Sequence, residues 1–130
     1  MNLRAFPVVA ALFLVGCNGG TIDRQDLTKN SGTLDSISCE AMVLAQGVAR
    51  DRTTTTFTRE QTATLRVQTS NEADALARRP AAPGLEQRAR ALSKRAARLA
   101  ALLQRFHDHP GDRAVGADLE RAFKKFGSCK

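Results

Sequence analysis

The residues of this chain best suited to chemistry are three cysteines and two neighbouring histidines. The cysteines are Cys17, Cys39 and Cys129. A thiolate can act as a nucleophile or a metal ligand, and two thiols can form a disulfide. The histidines lie in His107-Asp108-His109, where residues two apart do not share a helical face, and the chain has no third histidine to complete a site. We therefore predict no metal site and no cofactor.

The sequence contains no recognisable set of catalytic residues. Acyl-enzyme motifs, phosphate-binding loops and histidine-based catalytic sets are all missing from it. Glu40 with Asp51, or Asp118 with Glu120, are pairs of acids that could be nominated for glycoside chemistry, but surface acids are common. We predict that the protein is not an enzyme and assign no catalytic residue.

Basic residues are concentrated in one segment. The formal net charge is +7, and residues 78–105 hold eight basic residues against the single acid Glu86, so the rest of the chain is neutral. The predicted ligand for this cationic face is an anionic lipid head group, lipopolysaccharide or wall polymer. The alternative is a solvated helix face that only keeps the protein soluble. The residues assigned to the face are Arg88, Arg90, Lys94, Arg95, Arg98 and Arg105.

The amino-terminal residues have the pattern of a secretory signal. One positive charge at Arg4 precedes the apolar run from Ala5 to Val15, which only Pro7 interrupts. A membrane-spanning helix needs about 20 apolar residues, whereas about 7 to 15 behind a basic end are typical of a signal peptide. We predict that residues 1–16 are a signal peptide and that the rest is exported.

This signal ends in Leu14-Val15-Gly16-Cys17, which resembles the lipobox of bacterial lipoproteins. In that family a diacylglyceryl group is attached to the cysteine sulfur, a dedicated peptidase cuts before the cysteine, and the new amino end is often acylated too. The resemblance implies cleavage between Gly16 and Cys17, and fatty acyl chains such as palmitate on Cys17. Two or three acyl chains give lasting membrane attachment, whereas one gives only marginal binding. An ordinary signal peptide followed by a coincidental thiol is the alternative.

The residue after the cysteine bears on location. By the same resemblance, an Asp there favours retention in the inner membrane of a double-membraned cell, and this chain has Asn18 instead. We therefore expect an anchor in the outer membrane, facing the periplasm, if the cell has two membranes. Nucleic acid is not expected as a partner outside the cell, and the chain lacks Trp and Tyr to stack on bases.

With Cys17 lipidated, Cys39 and Cys129 remain in an oxidising compartment, and we predict that they form a disulfide. Closing a loop of about ninety residues would stabilise the fold by roughly 4 kcal/mol on the chain-entropy model. The alternatives are two unpaired thiols or a redox site, although no Cys-x-x-Cys supports the latter.

Hydrophobic spacing predicts that the exported part is helical. The clearest stripe runs from Leu85 to Phe106 at alternating intervals of four and three residues, which predicts a helix over 85–108 that His109-Pro110-Gly111 terminates. Similar stripes predict helices from about Asp35 to Asp51 and after an N-cap at Asp112.

The stretch from Thr53 to Ser70 is ambiguous, because four consecutive threonines are poor helix formers. A capping box at Thr58 and Gln61 would start another helix, which we favour, whereas alternation of Ala63, Leu65 and Val67 would suit a strand.

Together these elements predict an all-α domain, a small antiparallel up-down bundle of three or four helices closed by one disulfide. A long two-arm hairpin, with residues 35–79 returning as 85–127, would also bring the cysteines together. The predicted organisation is a signal peptide (1–16), a lipidated cysteine with a flexible linker (17–32) and the bundle (33–130). This layout resembles small helical-bundle lipoproteins of bacterial envelopes.

The sequence thus predicts an envelope protein of binding or structural type that contacts an anionic partner through its basic helix face. An adaptor that docks on another envelope protein through an apolar surface is the alternative.

Overall fold

Four helices in antiparallel up-down order make up the computed structural model, which describes residues 20–127 and Cys129. The helices are α1 (Arg24–Ala49), α2 (Thr55–Ala77), α3 (Glu86–Asp108) and α4 (Arg113–Phe126). The predicted all-α bundle is confirmed. The predicted signal peptide, with Gly16 and Cys17, lies outside the described residues.

The helices pack in two close pairs. α1 packs mainly against α4, and α2 packs mainly against α3, while α1 also contacts α2 and α3. The four helices are separate, so the chain forms a bundle and not the two-arm hairpin. A core of aliphatic side chains with two phenylalanines fills the space between the pairs, and its fully buried large members are Ile22, Leu27, Leu34, Leu65, Leu99, Leu103, Phe106, Leu119 and Phe123.

The predicted disulfide between Cys39 and Cys129 is confirmed, with a distance of 5.4 Å between the two Cα atoms. It joins the middle of α1 to the chain just after α4. α4 has 14 residues against 26 in α1, and it covers only the second half of α1: Gly127 lies against Asp35 and Ser38, and Gly116 against Ala45–Ala49. Among the four helices, the first half of α1 therefore packs mainly against α2 and α3.

The flexible linker predicted over residues 17–32 is wrong from Ile22 onward. α1 begins at Arg24, because Asp23 and Asp26 form a capping box in which each side chain accepts a hydrogen bond from the other's backbone amide. Ile22 and Leu27 are fully buried, and Leu27 continues the α1 stripe one heptad before Leu34. The polar residues between them occupy the outer side of the helix, which made the segment resemble a linker.

Ile22 is also fixed by backbone hydrogen bonds. Its amide donates to the carbonyl of Pro80 at 2.8 Å, and its carbonyl accepts from the amide of Ala82 at 2.9 Å. The chain thus enters the bundle beside the connection between α2 and α3, at the end where α1 and α3 both begin.

The threonine-rich segment is helical, as favoured, but the helix begins earlier than the predicted box at Thr58 and Gln61. Thr54 is the N-cap, and its side chain accepts from the Phe57 amide at 3.2 Å. Thr58, Thr62 and Thr69 are buried, and each hydroxyl donates to the carbonyl four residues before it. Their polar groups are satisfied within α2, so threonine is tolerated in the core.

The same substitution, Gly to Ala, is expected to have opposite effects on stability at two helical glycines. Gly32→Ala should raise the free energy of unfolding by up to about 1 kcal/mol, because its new Cβ would meet open space and alanine favours helix. Gly116→Ala should lower it by about 1 to 3 kcal/mol, because a Cβ there would lie 3.0 Å from the Ala49 amide nitrogen and 3.0 Å from Val48 Cγ1. Urea unfolding of both variants tests this; shifts in the same direction would contradict the close crossing of α1 and α4.

Candidate functional site

The basic residues of α3 occupy the outer part of the helix. Leu92, Ala96, Leu99, Leu103 and Phe106 are buried, which turns the remaining faces of the helix toward solvent. Arg90, Lys94 and Arg98 are exposed and spaced one turn apart, and Arg88 and Arg105 are exposed as well. Arg88, Arg90, Lys94 and Arg98 have no carboxylate oxygen within 4 Å in the part of the chain that the structure describes.

Arg105 differs from these four because it is paired. Its guanidinium lies 3.4 Å from the Asp118 carboxylate on α4, and the same carboxylate also accepts from Arg121 at 2.5 Å. An anion approaching Arg105 would therefore meet the charge of Asp118 as well. Arg105 lies at the edge of the basic face.

Arg95 points inward between three helices. Its guanidinium pairs with Asp35 of α1, donates to Ser31 Oγ at 3.2 Å and to the Phe126 carbonyl at 3.0 Å, and lies 4.8 Å from the centre of the Phe126 ring. Only 19% of the side chain is exposed. These bonds connect α1, α3 and the end of α4 and engage most of the donors of Arg95. The position of Arg95 beside the leucine stripe was the sequence signal for this inward direction.

Two shallow grooves run along α3, and basic residues line both. The groove between α3 and α4 has a volume of about 450 Å³, with Ala101, Leu102 and Ala122 among its apolar lining and Arg98 and Lys125 beside them. The groove between α1 and α3 measures about 320 Å³ and is lined by Leu27, Ser31, Arg88, Ala91, Leu92, Arg95 and Arg98. Among the described residues no acid lines either groove.

Lys125 belongs to this surface, although the sequence did not point to it. In the sequence, Lys125 lies outside residues 78–105, in the part of the chain whose charges sum to zero. Only the antiparallel packing of α4 against α3 brings it beside Arg98. The signal available in the sequence was that Lys124 and Lys125 directly precede Phe126 in the last turn of an amphipathic helix.

A third groove, between α1 and α2 at the opposite end of the bundle, is mainly apolar. It has a volume of about 400 Å³ and is lined by Glu40, Val43, Leu44, Gly47, Thr53, Phe57 and Gln61. Val43 is 60% exposed and Phe57 is 50% exposed, which is unusual for large apolar side chains. The sequence predicted an apolar surface for the adaptor alternative without identifying these residues.

The histidines do not come together as a site. His107 Nδ1 lies 3.1 Å from the Thr62 hydroxyl on α2, whereas His109 is exposed just after α3. In the described part of the chain, no group of three or more His, Cys, Asp or Glu side chains could hold a metal ion.

Three of the four acids nominated for glycoside chemistry are engaged in contacts of their own. Asp51 pairs with Arg113, Asp118 with Arg105 and Arg121, and Glu120 accepts from Gln46 at 3.1 Å. These three carboxylates therefore have structural partners that hold them between helices or along one helix, whereas Glu40 is exposed and lines the α1–α2 groove.

Glu72 on α2 is a partly buried acid. Burial raises the pKa of its carboxyl above the ordinary value, and the nearby Lys29 ammonium partly offsets this effect. Its Oε2 atom is buried without a hydrogen-bond partner among the described residues. It lies outside the three grooves, and its burial without a partner indicates a local cost to stability.

Comparison with known proteins gives no assignment. No protein-family model, no curated protein and no solved structure matches the chain. Within the described residues, no helix has the length and apolar character needed to cross a bilayer.

Proposed function

We propose that the chain is a lipid-anchored protein of the bacterial envelope, which binds an anionic lipid or wall polymer through the basic face of α3. The anchor is Cys17, on the resemblance of Leu14-Val15-Gly16-Cys17 to a lipobox, and the expected location is the outer membrane, facing the periplasm. The domain acts by binding or structural contact and not by catalysis.

One observation carries this proposal. Arg90, Lys94 and Arg98 are exposed on consecutive turns of α3 with no carboxylate within 4 Å in the described part of the chain. Basic side chains near an anionic surface each contribute about 1 kcal/mol of attraction, and unpaired ones keep that full effect. Phosphate groups supply the matching charge at high density.

The test uses the lipidated chain reconstituted in phosphatidylcholine vesicles and offered free vesicles that contain phosphatidylglycerol. Changing Arg90, Lys94, Arg98 and Arg105 together to Gln should reduce capture of the anionic vesicles by more than about tenfold, since each residue contributes about 1 kcal/mol. Wild-type capture should fall steeply as salt is raised, because the Debye length is only about 8 Å at physiological ionic strength.

The matched control removes four exposed cations from other helices and connections. Arg50, Arg52, Arg59 and Lys124 are exposed, and all four are changed to Gln. Capture should stay close to wild type. Equal loss in both variants would mean that net charge alone is responsible, and unchanged capture by the α3 variant would refute the basic face.

The α1–α2 groove favours a second candidate, an adaptor that docks on an envelope protein. Its exposed Val43 and Phe57 would bury apolar area on binding, and such contacts persist at high salt, unlike charge-driven ones. Incubation of native envelopes at low or at high salt, followed by cross-linking at the same salt, separates the two functions. A protein partner that survives high salt with wild-type Val43 and Phe57, and is lost when both are changed to Gln, would support the adaptor.

A further inference from the structure

The covalent distance between the proposed anchor and the bundle is short. α1 begins at Arg24, and the chain is already fixed at Ile22 by two backbone hydrogen bonds and full burial. Five peptide units separate Cys17 from Ile22, and at about 3.6 Å each they span no more than about 18 Å. A lipid on Cys17 would therefore hold this end of the bundle close to the membrane.

The anchored end itself carries nearly balanced charge. Asp26 pairs with Arg79 at 3.2 Å and Asp74 with Arg78 at 4.0 Å, while the Glu86 carboxylate accepts from the Gly84 amide. Standing upright on this end, the bundle would present both signs to the head groups. Little net attraction to an anionic surface would result.

The side of the bundle formed by α3 and the end of α4 is predominantly basic, unlike the anchored end. Arg88, Arg90, Lys94, Arg98 and Lys125 have no carboxylate within 4 Å in the described residues, and the two grooves between them have apolar linings without acids. By contrast, α2 alternates both signs along its outer surface, as at Arg59 and Glu60 or Asp74 and Arg78. Within reach of the anchor, this side offers the most favourable surface for anionic head groups.

We infer that the bundle lies on its α3 side against the same membrane that holds Cys17, with Arg88, Arg98 and Lys125 binding the phosphates of anionic phospholipids. The inference rests on the proposed anchor and basic face, and it narrows the partner to phospholipid in the anchoring membrane. The apolar linings of the grooves, with Leu102 and Ala101, face the interfacial region.

The length of the bundle favours an orientation in which its long axis is parallel to the membrane. Charges on proteins act within about 8 Å in physiological salt. Arg98 is twelve residues along α3, about 18 Å from its start at a rise of 1.5 Å per residue. Only the lying orientation brings Arg88 and Arg98 to the surface together.

Because the chain contains no tryptophan, a single introduced one reports on orientation. Ala101 on α3 and Ser36 on α1 are both exposed, and each lies roughly 20 Å along its helix from the anchored end. Ala101 lines the groove between α3 and α4 beside Arg98 and Lys125. The lipidated chains with Ala101→Trp or Ser36→Trp are reconstituted in vesicles that carry a nitroxide on the lipid head group, with and without phosphatidylglycerol. Quenching should be several-fold stronger at position 101 than at 36, and only in the anionic vesicles.

Charge variants connect the orientation to the named residues. In the Ala101→Trp background, changing Arg88, Arg98 and Lys125 to Gln should abolish the difference, whereas changing Arg50, Arg52 and Arg59 to Gln should preserve it. Equal quenching at 101 and 36, or quenching independent of lipid charge, would overturn the inference.

The outcomes separate this inference from the proposed function. If capture of free anionic vesicles still depends on the basic face while positions 101 and 36 are quenched equally, the face binds a partner away from its own membrane. The proposed function then stands and the inference fails. Mass spectrometry that finds no lipid on Cys17 would overturn the anchor and the inference together.

Discussion

Replacing Cys39 and Cys129 together with Ala should lower the free energy of unfolding by about 4 kcal/mol. The disulfide closes a loop with a sequence separation of 90, and on the chain-entropy model a loop of that size restricts the unfolded chain by about this amount. Domains of this size have a total stability of only about 5 to 15 kcal/mol, so the effect would be a large fraction of the whole.

Urea unfolding of the exported chain, followed by circular dichroism, measures this effect. The wild type treated with reductant serves as the control, because it should unfold at the same urea concentration as the double variant. Both should remain helical in the absence of urea, since the core between the helix pairs does not include the cysteines. A double variant with the wild-type midpoint would show that the bond contributes nothing to equilibrium stability.

Changing Phe123 to Ala should cost about 3 to 5 kcal/mol, the range for removing a buried phenylalanine side chain. Phe123 is fully buried on α4, and its ring centre lies 6.2 Å from that of Phe106 on α3. α4 has only three buried residues of its own, Gly116, Leu119 and Phe123, so this ring supplies much of what holds it to the bundle.

Phe57→Ala is the matched control, because it removes the same atoms from a side chain that is 50% exposed. Its cost should stay below about 1 kcal/mol, since the transfer free energy follows the apolar area that is buried. Chemical denaturation of both variants gives the comparison. Similar costs for the two variants would mean that α4 does not pack as described.

The sequence was sufficient for the fold wherever hydrophobic periodicity was strong. The α3 stripe predicted a helix over 85–108, and the helix spans Glu86–Asp108. Asp112 caps α4 as predicted, with its side chain accepting from the Val115 amide. In each case the local pattern and the tertiary packing favour the same structure.

Periodicity was a poorer guide where apolar residues are sparse, as at the start of α1, or where polar residues occupy a buried face, as in α2. The residues between Ile22 and Leu34 are mostly polar, so the first three turns of α1 resembled a linker. The two apolar residues Ile22 and Leu27 become buried only when α2 and α3 are in place. The buried threonines of α2 hide their polarity by bonding to their own backbone, which a hydropathy pattern does not register.

The candidate site could be predicted only in part, because a sequence orders charges along one helix and not between helices. It placed Arg90, Lys94 and Arg98 on one face. It grouped Arg95 with them, although Asp35 and Phe126 from two other helices hold that side chain inside. Lys125 joins the surface from α4, 27 residues after Arg98 in the chain.

The position of the disulfide also determines how the domain would respond to mechanical tension. A pull applied between the segment before Ile22 and Cys129 enters α1 at its first turn and leaves it through the sulfur atoms at Cys39. The loop between the two cysteines, which contains the rest of α1 and all of α2, α3 and α4, lies outside the loaded path. Stretching could then unravel only the turns of α1 before Cys39.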